Sequence, residues 1–225
     1  LAYESIEKYK EAMADLKMAL SLKPKDADAE KALADTKPLY AKQLRKEGYV
    51  MYISANGLKE RADIAKAETL YRDAIGKYTS AIELVPDETK YYSDRAAAYR
   101  GLGKLELAIA DLSEVMKRKP GLSARVGRAE LYIEGRMFDL AITDLTEAIA
   151  VGENPILTRS SRYVLRGRAY LGKSKNDLAL ADFNKAIELK AFYPDAYYYR
   201  GLAHLAMDDR RAAILDFSMA LDQSS

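Results

Sequence analysis

The chain has no cysteine, no tryptophan and a single histidine, His204, among its 225 residues. Without thiols there is no disulfide framework, thiol nucleophile or thiolate metal site, and such usage suits a reducing compartment, so a cytoplasmic address is expected. One imidazole excludes every site that needs two histidine ligands and nearly all Ser–His–Asp arrangements. Uninterrupted apolar runs fall far short of the roughly 20 residues of a membrane helix, and no basic-then-apolar signal segment opens the chain; neither insertion nor export is expected. Charge of one sign is not in excess either. Thirty-six Lys and Arg against 34 Asp and Glu leave +2, which supplies no global field for nucleic acid or anionic lipid. No glycine-rich phosphate loop, metal-spaced ligand cluster or nucleophile motif occurs, so no catalytic, cofactor or metal residue is assigned. What remains is 49% hydrophobic and 31% charged residues, enough apolar material for one large domain or two small ones.

The sequence is periodic. Six segments resemble one another: EAMADLKMAL, DAIGKYTSAI, LAIADLSEVM, LAITDLTEAI, LALADFNKAI and AAILDFSMAL. Their leading alanines are Ala12, Ala74, Ala108, Ala141, Ala179 and Ala213, at intervals of 62, 34, 33, 38 and 34. The underlying period of about 34 is that of a stacked supersecondary unit. Apolar residues within each segment recur at helical spacing, and Pro24, Pro86 and Pro120 close three of them. A second helical pattern precedes each of the last four, as in DRAAAYRGLG before Ala108 and RGRAYLG before Ala179. Helix, tight turn and helix make one unit. Small residues form two columns, one of Gly48, Ala96, Ala129, Gly167 and Gly201 and the other of the alanines above; small side chains let two helix backbones approach closely.

With Tyr99, Tyr132 and Tyr170 in one column and Tyr78, Leu112, Leu145, Phe183 and Phe217 in another, this small–large alternation resembles the tetratricopeptide repeat over nearly the whole chain. The resemblance implies an all-α fold, a right-handed superhelical α-solenoid of helix-turn-helix repeats. It also implies a non-catalytic protein–protein interaction scaffold or adaptor. The family's tryptophan-type position is tyrosine at Tyr92, Tyr163 and Tyr197 but Arg125 in the fourth repeat, where less regular packing is expected. His204 falls in the column of Tyr99, Tyr132 and Tyr170 and is read as a packing residue.

Arg95, Arg128, Arg166 and Arg200 occupy one column of the first helix, and Asp111, Asp144, Asp182 and Asp216 one column of the second, every pair 16 apart. In an antiparallel hairpin that turns near its midpoint, such residues lie at the same height, so each pair is read as an ion pair within its repeat. Identical recurrence in every unit marks a structural contact. The same logic treats the 62-residue interval: a first helix over residues 41–54 puts Glu47 in the arginine column and Lys77 in the aspartate column, with signs swapped and attraction kept. The 28 excess residues (62 minus 34) then divide into two fourteens. One carries an extra helix stopped at Pro38; the other, GLKERADIAKAETL, lengthens a helix or folds as a helical excursion. Residues 151–160 are read as a tolerated insertion.

LAY at the start aligns with LAY-like segments in mid-repeat, and no additional polar helix closes the array. The chain is therefore expected to be part of a longer polypeptide, with residues 1–37 ending one array and 38–225 forming a second of about five repeats.

The concave wall of such a solenoid is lined by first helices. Helical projection puts Lys42, Arg45, Lys46, Tyr49, Tyr52, Lys90, Asp94 and Arg100 on its N-terminal part and Glu130, Arg168 and Tyr198 further along. This lining fits a protein or peptide partner, acidic or with a free C-terminal carboxylate, and no nucleic acid, membrane or cofactor. LRKEGY at Leu44–Tyr49 and YYSDRAAAY at Tyr91–Tyr99 resemble the motifs of the carboxylate clamp of tetratricopeptide co-chaperones, which hold acidic chaperone tails. The alternative function is thus a co-chaperone adaptor with a degenerate clamp. Arg45 replaces the clamp lysine, whereas Tyr49 and Asp94 stand where the family has asparagines, and an aspartate repels an incoming carboxylate.

Overall fold

The computed structural model of the protein describes residues 2–151 and 156–223. Among these residues the chain forms eleven helices and no strand. Two compact units divide it. In Leu1–Lys119, α1 (Ala2–Leu22) packs on α2 (Ala27–Glu60), which pairs with α3 (Ile64–Leu84), and α4 (Thr89–Gly101) stacks on α3 and pairs with α5 (Leu105–Arg118). In Pro120–Ser225, the pairs are α6 (Leu122–Glu134) with α7 (Phe138–Ala150), α8 (Ile156–Gly172) with α9 (Asn176–Leu189), and α10 (Pro194–Ala206) with α11 (Arg210–Asp222). Within that unit α8 stacks on α7 and α10 on α9. Five hairpins follow one another, as the repeat columns require.

A single residue in the left-handed region turns every hairpin: Ala62, Gly103, Arg136, Ser174 and Asp208, with φ between 56° and 71°. The next residue donates its N–H to the carbonyl five positions back, as Lys104 does to Tyr99 at 2.9 Å and Asp209 to His204 at 2.9 Å. That bond satisfies a helix-terminal carbonyl otherwise left without an intrahelical donor. Only Gly103 takes the geometry without a Cβ penalty. The turn residue also sets the register. Arg95, Gly103 and Asp111 are spaced eight and eight, and so are the corresponding three residues of the last three hairpins.

In the first hairpin the swapped pair Glu47 and Lys77 is centred on Ala62, fifteen residues from each. The inserted fourteen residues have therefore gone seven to each arm, and seven residues are close to the roughly 7.2 of two full turns, so every face keeps its phase. The charged stretch lengthens both helices and forms no separate excursion. The added length has its own core, in which Ala55, Ala67 and Tyr71 join Ala74, Tyr78 and Ala98, and the buried Tyr71 hydroxyl donates to Asn56 Oδ1 at 2.5 Å.

The expected helix stop at Pro38 is corrected by the structure: α2 runs through it, from an N-cap at Asp26 whose side chain accepts from the N–H groups of Asp28 and Ala29. A proline within a helix costs one backbone hydrogen bond and about 3 kcal/mol. Pro38 lies exposed, where water reaches the freed carbonyl. Just beyond it, Ala41 and Leu44 pack with Ile6, Ala81 and Tyr91, which offsets the cost and keeps the helix continuous. The expected boundary after residue 37 accordingly falls inside α2. Of the insertion read at 151–160, residues 152–155 lie outside the described residues, and Ile156 already begins α8.

The close crossings are matched in volume. Where the first helix has glycine, the second presents an aromatic ring: a Cβ on Gly48 would lie 2.8 Å from Tyr78, on Gly167 2.5 Å from Phe183, and on Gly201 2.7 Å from Phe217. Where the first helix has alanine, at Ala96 and Ala129, the partner sixteen residues on is Leu112 or Leu145. Gly167→Ala is therefore expected to cost about 1–3 kcal/mol by overpacking, read from urea unfolding, and Gly167→Ala with Phe183→Leu to recover most of the loss. Independent behaviour of the two changes refutes the volume match. Ala62→Gly is expected to raise stability by about 1 kcal/mol, the relief of a left-handed non-glycine residue; an unchanged denaturation midpoint counts against that.

Candidate functional site

The arginine column is consumed by the scaffold. Each guanidinium grips its aspartate bidentately: Arg95 on Asp111, Arg128 on Asp144, Arg166 on Asp182 and Arg200 on Asp216, all at 2.6–2.9 Å. The four aspartates are buried, at 4–5% exposure. A third nitrogen reaches back to the preceding hairpin, from Arg95 to Thr79 Oγ1 (3.0 Å), from Arg166 to Thr146 Oγ1 (3.2 Å) and from Arg200 to Asn184 Oδ1 (2.7 Å). Tyrosine rings three residues before and four after flank the cation, Tyr92 and Tyr99 around Arg95, Tyr163 and Tyr170 around Arg166. The reversed pair holds too, with Lys77 Nζ 2.9 Å from Glu47 Oε2. In the fourth repeat Arg125, which replaces a ring, pairs with Glu147 instead.

His204 occupies the place of the second ring beside Arg200, half-buried, with Nδ1 3.9 Å from Asp209 and Nε2 3.8 Å from Asp216. Among the described residues no group of three or more His, Asp or Glu side chains is arranged to hold a metal ion.

In the first unit the sequence-derived residues converge on α2 and α4. Lys42 and Lys46 stand exposed one turn apart on α2, and Tyr49 follows at 49% exposure; Lys90 and Arg100 are exposed on α4. Arg45 and Asp94 are different. Arg45 Nε lies 2.5 Å from Asp94 Oδ2, and both side chains are largely covered. This pair joins the first helices of two successive hairpins and leaves Arg45 neutralised within the wall. Burial pushes the Asp94 carboxyl above the ordinary carboxylate range, outweighing the hydrogen bond from Arg45 and the nearby Lys90 charge that lower it. Beneath the pair lies the fully buried Tyr78, whose hydroxyl burial also shifts upward. Tyr52 turns partly into the core, its ring 6.0 Å from that of Tyr71.

In the second unit Arg168, half-buried, lies over the Tyr199 ring at 4.8 Å, and Lys190 over the Tyr193 ring at 4.7 Å. Burial raises the Tyr193 hydroxyl, with Asp195 and Glu130 adding to the shift and Arg168 opposing it. Glu130 and Arg168 thus share one neighbourhood with Tyr193 and Tyr199, two tyrosines the helical projection missed; the density of tyrosine in YPDAYYY was the available signal. Tyr198 sits edge-on to Tyr199 at 5.2 Å between ring centroids and packs against Phe217 of α11 at 5.8 Å.

Because the Asp94 carboxyl releases its proton at higher pH in the folded state than in the unfolded chain, stability should fall as pH rises through the window just above the ordinary aspartate range. Asp94→Asn is expected to flatten that slope in urea unfolding measured across a pH series; an unchanged slope assigns it to other groups.

Comparison with known proteins agrees with this architecture. Residues 167–208 match a family model described as "TPR repeat", and residues 1–26 one described as "Tetratricopeptide repeat". The chain is 28% identical over 170 residues to a DnaJ homolog subfamily C member 7 homolog of Schizosaccharomyces pombe, covering 68% of this chain and 36% of that protein. It is 30% identical over 160 residues to human tetratricopeptide repeat protein 13, covering 68% of this chain and 18% of that protein. The chain thus spans about a third of these relatives or less. Among solved structures, MamA from Desulfovibrio magneticus RS-1 aligns with a TM-score of 0.62 at 16% identity, over 79% of this chain and 95% of that one. YrrB, described as a TPR protein with an unusual peptide-binding site, aligns at 0.57 and 16% identity over 92% and 91%. With recurring hairpins, turns and small–large crossings in place throughout, the chain belongs to the tetratricopeptide repeat family.

Proposed function

We propose that this chain is a non-catalytic docking platform, cytoplasmic in setting, whose first unit binds an acidic peptide segment of a partner protein along α2 and α4. The observation that carries the reading is the division of labour among the cations. Arg95 is spent on its aspartate and Arg45 on Asp94, whereas Lys42, Lys46 and Lys90 stand exposed on α2 and α4, as does Tyr49 on α2. Flexible, hydrated ammonium groups beside an amphipathic ring suit carboxylates carried on a chain with apolar atoms to cover. Binding of this kind is fast and salt-sensitive, and it needs no bond chemistry. His204 has a packing role in this reading. In the same reading α1 and the start of α2 close one run of repeats, and the five hairpins that follow form the next.

The co-chaperone reading rests on the motif resemblance at Leu44–Tyr49 and Tyr91–Tyr99 and on relatives whose names mark them as DnaJ homologues. It requires Asp94 to give up Arg45 to an incoming carboxylate, an exchange of one acidic group for another with little net gain. A shared acidic-peptide reading therefore ranks above a terminal-carboxylate clamp.

Fluorescence anisotropy with a labelled acidic peptide, prepared with a free and with an amidated C-terminus, separates the two. Both forms are expected to bind, and Lys42→Glu with Lys46→Glu and Lys90→Glu to weaken them by about tenfold or more. Binding that charge reversal leaves intact refutes the proposed face. Preference for the free carboxylate, enhanced by Asp94→Asn, establishes the clamp instead.

A further inference from the structure

Arg45 and Asp94 neutralise one another, yet their hydrogen-bonding capacity is only partly used. Arg95, Arg166 and Arg200 engage all three guanidinium nitrogens, Nε and Nη2 on an aspartate and Nη1 on a threonine or asparagine of the preceding hairpin. Arg45 does not. Its Nε alone is bonded, to Asp94 Oδ2 at 2.5 Å. Among the described residues, Nη1 and Nη2 of Arg45 and Oδ1 of Asp94 have no hydrogen-bond partner. These atoms are not sealed in the interior, where leaving them unpaired would be costly, and the two side chains keep 26% and 19% exposure. Nor do they bond inward: the fully buried Tyr78 hydroxyl beneath the pair has no partner either.

The pair therefore holds unused donors next to an unused acceptor, with little net charge. Ligand chemistries differ sharply against such an edge. A carboxylate offers acceptors only, so that while one oxygen meets Arg45 the other faces Asp94 Oδ1. An ammonium offers donors only and is turned away by the guanidinium. A trans peptide unit has both kinds of group, but its C=O and N–H point to opposite sides. A primary carboxamide carries C=O and NH2 on one edge and matches both. Tyr49, exposed and one turn along α2 from Arg45, adds an aromatic neighbour to a flat amide.

We propose that Arg45 and Asp94 form an amide subsite within the acidic-peptide face, which binds a glutamine or asparagine side chain of the docked segment: Arg45 Nη donates to the amide oxygen, and the amide NH2 donates to Asp94 Oδ1. The inference rests on the docking reading of α2 and α4 and adds selection by side-chain type, which Lys42, Lys46 and Lys90 do not supply. Acidic neighbours in the peptide meet the lysines. The neutral amide leaves the bond between Arg45 and Asp94 in place, so neither charge loses its partner on binding. Glutamate, the isostere of glutamine, is rejected because its second oxygen meets Asp94.

Fluorescence anisotropy on the intact chain tests this with four labelled acidic peptides that carry Gln, Asn, Glu or Ala at one central position. All are capped as C-terminal N-methylamides, so that no terminal carboxylate or primary amide competes. The better of the Gln and Asn peptides is expected to bind at least about tenfold tighter than both the Glu and the Ala peptide. Arg45→Lys, which keeps a cation beside Asp94 but not the fork, is expected to reduce that peptide to the level of the Ala peptide and to leave the Ala peptide unchanged. Asp94→Asn is expected to erase the preference by strengthening the Glu peptide, a gain that loss of folding does not produce. Equal binding of all four peptides, or tightest binding by Glu, overturns the subsite; if Lys42→Glu with Lys46→Glu then still weakens them, the lysine face stands without it. An amide preference that those lysine changes leave intact, with no weakening of any peptide, overturns the lysine face and keeps the subsite. Saturation by none of the four overturns both.

Discussion

The constraint on which the rest of the structure depends is the equal length of the two arms of each hairpin about one left-handed turn residue. Once that residue is placed, arginine and aspartate eight residues to either side of it meet in four hairpins, and beside them the glycine or alanine seven residues before it meets the ring or leucine nine residues after it. Because helices pack in discrete registers, an unequal insertion in one arm would rotate every face out of contact. The first hairpin shows the one kind of insertion that is tolerated, two turns on each side, which leaves Glu47 facing Lys77 and Gly48 against Tyr78.

The ion pairs add orientation to that register more than they add stability. A desolvated pair gains little over well-packed apolar residues, but breaking one leaves a buried charge behind, so the pairing penalises every misaligned stacking of one hairpin on the next. The third nitrogen of Arg95, Arg166 and Arg200, bonded to the previous hairpin, carries the same specification from one repeat to its neighbour. Arg45 with Asp94 does so between the first helices of two hairpins. Cations spent in this way are wall material, which is why the proposed recognition surface of the first unit is assigned to lysines and an exposed tyrosine.

Much of this was legible in the sequence. Sixteen-residue spacing of Arg and Asp, recurring in four repeats, translates directly into four bidentate contacts, and the reversed Glu47–Lys77 pair followed from the same count. Pro38 misled the reading, since proline's local cost was outweighed by the burial of Ala41 and Leu44, a contact with α1, α3 and α4 that local propensity does not contain. The helical projection placed Lys42, Lys46 and Lys90 at the surface but had no means of telling Arg45 apart from them. Its partner Asp94 lies 49 residues away, and only stacking brings the two together.

The amino-acid sequence by itself determined the helical hairpin, its period, its internal register and its small–large crossings, because these are set by residues within one turn-centred unit of local contacts. Tertiary structure alone decided which charges are spent and which are available, how fourteen extra residues are shared between two arms, and which apolar side chains of α11 face solvent. Those outcomes depend on which helix lies against which, and so on burial and distance between residues that the linear order leaves far apart.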